Sequence, residues 1–181
     1  MGLKESLSKY IAEFKVKHDY RSIKSIIMLS LFIRILGGLI IASVFIALSS
    51  YLAKDFFHSS QAKGLIILYS LMILFGFAHD LFVYIFQGFQ RFVMFSLTQF
   101  FMYLIIMVFV IFTVSYIGAY SYFVGLLVSV LVPPIFYFWY FISRVFPDFL
   151  TIKTNISRPL LYKLYSFSFF VILTASAGLL M

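Results

Sequence analysis

Residues 96–117 read SLTQFFMYLIIMVFVIFTVSYI, twenty-two positions without one charged side chain. A helix needs about 20 predominantly apolar residues to cross the hydrocarbon core of a bilayer. A helix that is apolar on every side has no face to turn to water, so it belongs in lipid or in a deep core. Runs of the same kind lie on either side, at about 26–52, 64–86, 119–142 and 161–181. The pattern predicts an all-α fold, a multi-pass transmembrane helix bundle with about five transmembrane helices.

The composition agrees. Hydrophobic residues make up 64% of the 181 positions and charged residues 11%, against roughly 45–50% and about 25% in a soluble domain. So few charges cannot clothe a water-facing surface, and the mean hydropathy is +1.08. There is no cysteine, which rules out a disulfide framework, a thiolate metal site and a cysteine nucleophile. His18, His58 and His79 are scattered without ligand spacing. Paired carboxylates, G-x-S-x-G, a glycine-rich phosphate loop and H-E-x-x-H are all missing, so neither an enzyme nor a cofactor is expected. The net charge of +8 would suggest nucleic acid in a soluble protein. Here the basic residues sit between apolar spans, which makes them topology signals and argues against a nucleic-acid partner.

Four segments follow. Residues 1–25 form a cytoplasmic amphipathic segment, in which Leu3, Leu7, Tyr10, Ile11 and Phe14 recur at helical spacing. The expectation is a helix lying on the membrane surface, or a cytosolic extension of a span, broken near His18 and Asp19. Residues 26–142 form a four-helix transmembrane bundle, 143–160 a cytoplasmic loop, and 161–181 a fifth, possibly truncated transmembrane helix. Lysine and arginine outside the spans divide eleven to two between alternate sides. The positive-inside rule therefore puts the N-terminus and the loop 143–160 in the cytoplasm of a cell-membrane protein, and the C-terminus outside. The many phenylalanines read as a lipid-facing composition.

Charged groups inside a membrane are functional candidates by default. Arg34 lies about eight residues into the first span, roughly 12 Å deep, on a face shared with Ser30, Gly38 and Ala42. Two readings are open for it: an anion contact in a bundle cavity, or a long side chain snorkelling to the headgroups. In the second span Gly76, Asp80, Tyr84, Gln87 and Arg91 fall within about 80° of helical arc. That stripe either lines a substrate or proton path or carries an Asp80 hydrogen-bonded to a neighbouring helix. His79 points about 100° away from Asp80 and reads as a packing residue. Pro133 and Pro134 inside the fourth span mark a candidate kink.

Three stretches carry a family resemblance. Ser8-Lys-Tyr-Ile-Ala-Glu-Phe14 with Lys17-His-Asp19 and Ile23-Lys-Ser-Ile-Ile27 resembles the cytoplasmic junction between the second and third helices of oligosaccharide flippases. These are the Wzx-like polysaccharide transporters of the MATE-like superfamily. Phe86-Gln-Gly-Phe-Gln-Arg-Phe92 is similar to the family motif at the end of the fourth helix. Leu164-Tyr-Ser-Phe-Ser-Phe169, with the small run Thr174 to Gly178, resembles the opening of the family's second half. The resemblance implies a partial flippase lobe, helices three to six and the start of seven. It also implies alternating access between two lobes around a cavity that takes the phosphate and sugar of a lipid-linked oligosaccharide while the lipid tail stays in the bilayer. With one lobe, the mechanism needs the missing flippase half or a homo-oligomer. Arg34, Asp80, Tyr84, Gln87 and Arg91 are this chain's own candidates for the cavity and substrate path.

The leading expectation is therefore a partial membrane transporter, a fragment or an assembling piece, embedded in membrane lipid and moving lipid-linked oligosaccharide or polysaccharide precursors. The alternatives are a non-transporting membrane scaffold or assembly subunit, and a small homo-oligomeric ion or solute transporter with Asp80 as coupling group.

Overall fold

The computed structural model describes residues 2–59, 61–154, 162 and 166. Helix α1 covers Gly2–Val16, α2 Tyr20–Tyr51, α3 Ala62–Gly88, α4 Phe92–Ile117, α5 Tyr120–Leu131 and α6 Pro133–Tyr140. A π-helical turn, Leu52–Phe56, prolongs α2, and a second, Phe141–Val145, prolongs α6 before a 3₁₀ turn at Pro147–Phe149. Four rods are long and apolar enough to cross a membrane: Tyr20–Phe56, Ala62–Gly88, Phe92–Ile117 and Tyr120–Val145. Even the shortest, 26 residues, reaches about 39 Å at 1.5 Å per residue, more than the roughly 30 Å hydrocarbon layer. The chain is an all-α membrane protein. The expected fifth span at 161–181 lies outside the described residues apart from Tyr162 and Ser166.

The corners between these rods share one device. His18, His58 and Gln90 have φ of 53°, 51° and 60°, and Gly118 has 56°. A single left-handed residue after a helix lets the next amides turn back on its last carbonyls. After α1, His18 N–H donates to Lys15 O and Asp19 N–H to Phe14 O. After α3, Gln90 N–H donates to Gln87 O and Arg91 N–H to Phe86 O. Asp19 then caps α2, its carboxylate accepting from Ser22 N–H at 3.1 Å and from Ser22 Oγ at 2.6 Å.

The chain forms two compact units. The first comprises Met1–Phe32, Asp80–Ser96 and Tyr137–Met181. Its core is aromatic. Phe82, Phe86 and Phe89 recur at helical spacing on α3 and meet Tyr137, Phe141 and Phe146, with ring centroids 6.0–6.3 Å apart. Phe141 and Phe149 stand edge to face at 5.1 Å. Such pairs add about 0.5–1.5 kcal/mol each beyond area burial. This corrects the reading of phenylalanine as lipid-facing. Phe32, Phe45, Phe100 and Phe112 are indeed exposed, but Phe82, Phe86, Phe89, Phe141, Phe146 and Phe149 are buried in the protein, because a quadrupolar ring gains more from another ring's edge than from an acyl chain.

Helix α1 docks in the same unit. Leu7 and Ile11 are fully buried, with Tyr10 and Phe14 beside them. A Cβ on Gly88 would stand 2.7 Å from Ile11 Cβ and 2.9 Å from Ser8 O, so only glycine lets α1 approach α3 this closely. Lys15 Nζ donates to Phe89 O at 2.9 Å, satisfying a carbonyl at the end of α3. The apolar face of α1 is thus covered by the protein rather than by lipid. Burial, and Glu13 one turn on, push the Tyr10 phenol above its ordinary pKa.

The second unit comprises Ile33–His79 and Leu97–Phe136. Ile106, Leu126 and Val130 form its centre, with Met72, Met102 and Val110 against them. Gly38 faces the Phe77 ring so closely that a Cβ there would sit 1.8 Å from Phe77 Cε2. Thr113 and Ser121 bridge α4 and α5 through their hydroxyls at 2.8 Å. Tyr120 OH donates to Gln61 O at 2.9 Å, above Gly64, where a Cβ would collide with the phenol.

Candidate functional site

The candidates from the sequence fall in different units. Arg34, Pro133 and Pro134 belong to the second, and Asp80, Tyr84, Gln87 and Arg91 to the first.

Ser30, Arg34, Gly38 and Ala42 are all buried, so the four-residue step along α2 is its inward face. Arg34 is 7% exposed, and both terminal guanidinium nitrogens are closed off from the surface. A snorkelling arginine keeps its charge at the headgroups; the Arg34 guanidinium is instead covered by protein. Enclosing a guanidinium costs several kcal/mol unless other groups answer its charge, and Arg34 has interaction partners within the chain.

On α3, Asp80, Tyr84 and Gln87 are half-buried, and Asp80 and Tyr84 also have partners within the chain. The stripe does not continue to Arg91 as one helical face. Helix α3 ends at Gly88, Gln90 takes a left-handed φ of 60°, and Arg91 is exposed in the corner before α4. A wheel drawn on the sequence extends only as far as the helical backbone does, and that backbone stops before the arginine. His79, 2% exposed, has Nε2 3.4 Å from Thr98 O, tying α3 to α4 where that nitrogen carries the proton.

At Pro133 and Pro134 the fourth rod is interrupted for one residue. Val132 keeps helical angles (φ −77°, ψ −52°) and its N–H still donates to Val128 O. The two prolines then open α6. Lacking N–H groups, they leave the carbonyls of Ser129 and Val130 without their usual helical donors.

One constellation was not anticipated from the sequence. Lys24 Nζ donates to Ile152 O at 2.6 Å and reaches Leu150 O at 3.5 Å, and it lies 5.3 Å from the Phe149 ring centroid. This staples the segment after the 3₁₀ turn to the first turn of α2. Beside it is a cavity of about 380 Å³ lined by Arg21, Thr151, Ile152, Lys153 and Thr154. In the sequence these basic residues are topology markers. Their meeting joins positions more than a hundred residues apart, which no local spacing signals. Among the described residues no group of three His, Cys, Asp or Glu could hold a metal ion.

A family model described as polysaccharide biosynthesis protein matches residues 1–181. No curated protein matches the chain, and no solved structure does.

Proposed function

The chain belongs to the polysaccharide biosynthesis protein family, and from that membership we propose that it is one lobe of a flippase moving lipid-linked oligosaccharide across the cytoplasmic membrane. The observation that carries the proposal is Arg34. A cation within a membrane span is a functional candidate by default, and we assign it to the substrate's anionic head. A diphosphate-bearing substrate head is the anion this family membership suggests. Asp80, Tyr84 and Gln87 would supply polar contacts along the path, and Pro133 with Pro134 a point where the fourth rod can flex. In this reading the second lobe is supplied from outside residues 1–181. The N-terminus and the segment 143–160 face the cytoplasm in this reading, as their lysines and arginines favour.

The test is export of a surface glycan in a strain complemented by the functional assembly. Arg34→Ala and Asp80→Asn are expected to abolish export while the protein still inserts. Normal export in both variants would sink the assignment of these residues. Cysteines placed singly at Asp80, Tyr84 and Gln87 should react with a water-soluble thiol reagent if they line a path; protection at all three would favour a scaffold instead.

A further inference from the structure

We propose that the cavity between the start of α2 and residues 151–154 binds the phosphate of an anionic phospholipid headgroup. The cavity walls carry Arg21 and Lys153, both exposed and neither with an ion pair to another described residue. Lys24, bonded to the carbonyls of Ile152 and Leu150 and set near the Phe149 ring, adds a third positive charge close by, with no ion pair to another described residue. No carboxylate is among the described residues that line the space. Asp19 is committed to capping Ser22. Asp148 offers its backbone oxygen to Thr151 Oγ1 at 3.0 Å and makes no ion pair among the described residues. Three cations thus gather with no ion pair among the described residues, beside the hydroxyls of Thr151 and Thr154, and such a gathering attracts an anion. A guanidinium fork and the Thr154 hydroxyl suit phosphate oxygens in particular.

The depth is right for a lipid rather than a loop in bulk water. Arg21 precedes the apolar run that starts at Ile26 by five residues, about 7.5 Å along α2. A headgroup layer is roughly 5–7.5 Å thick on each side of the hydrocarbon. Leu150, 65% exposed on the same loop, offers an apolar side chain to the acyl region next to the cations. A cavity of about 380 Å³ accommodates a phosphodiester head. The inference needs the membrane spans but not the transport reading, and it holds whichever leaflet the site faces.

Native mass spectrometry of the full chain tests it, with detergent micelles doped with phosphatidylglycerol or phosphatidylcholine. The expected result is a retained phosphatidylglycerol adduct and little phosphatidylcholine. The double variant Arg21→Gln with Lys153→Gln should hold phosphatidylglycerol about 30-fold more weakly, since each surface cation contributes about a fivefold preference. The charge-conserving pair Arg21→Lys with Lys153→Arg should retain most of it, and its unfolding temperature should match that of the Gln variant, so a folding defect is recognised. Equal adducts with both lipids, or equal retention in the Gln variant, overturns the proposal. So does inorganic phosphate at millimolar concentration protecting the chain from heat as well as the lipid does, which would assign the cavity to a soluble anion.

Discussion

Gly88 is the residue whose side chain matters by being absent. A methyl there would overlap Ile11 Cβ and the carbonyl of Ser8, and neither can yield without moving α1. Gly88→Ala is expected to destabilise the purified protein by about 1–3 kcal/mol, read as a lower unfolding temperature and faster protease cleavage among Lys9, Lys15 and Lys17. An unchanged cleavage rate would mean that α1 does not rest on α3. Gln90 makes the opposite case. It holds a φ of 60° with a side chain that is exposed, so Gln90→Gly should stabilise by about 1 kcal/mol through relief of the left-handed strain.

Two elements carry predictions of their own. Helix α1 is sensitive to alkali through Tyr10. Its folded pKa is raised by burial first and by Glu13 second, so the folded state favours the neutral phenol. That contribution is intact below the ordinary tyrosine value of about 10 and is lost as pH rises through the higher folded value. Protease release of α1 should accelerate above that range, and Tyr10→Phe should remove the acceleration. The fourth rod responds to its prolines. Pro133→Ala with Pro134→Ala restores donors for the carbonyls of Ser129 and Val130, and amide exchange at Ile135 and Tyr137 should slow; unchanged exchange would mean the interruption has another cause. At this scale the sequence was readable where the period was long and uninterrupted. The apolar runs foretold helices long and apolar enough to cross a membrane, and Leu7, Ile11 and Phe14 foretold the face of α1. What covers that face was not readable, because Gly88 looks the same whether it meets a helix or lipid. Arg91 was misplaced for a related reason: nothing in Phe86-Gln-Gly-Phe-Gln-Arg says that Gln90 will turn left-handed.

For the whole molecule, membrane character was legible because it is a sum over every residue, indifferent to which ones touch. The Lys24 staple and the enclosure of Arg34 were not, because each depends on a third dimension. Topology remains a prediction, and the absence of cysteine makes it clean to measure. Single cysteines at Lys9 and Lys153 should be labelled by a membrane-impermeant maleimide only after the membrane is opened. Cysteines at Lys54 and Lys63 should be labelled in intact cells. The reverse pattern would invert the orientation and with it the sense of transport.

The Lys24–Ile152 bond joins points 128 residues apart, and chains enter the membrane from one end. When the first span leaves the ribosome, the carbonyl that will receive Lys24 has not been synthesised. Nothing can close that gap until the fourth rod has been inserted and the chain has passed Phe149. The charged pocket beside it therefore forms only after the rod Tyr120–Val145 is made: a nascent chain stalled after Phe92–Ile117 displays the same lysine but has no pocket.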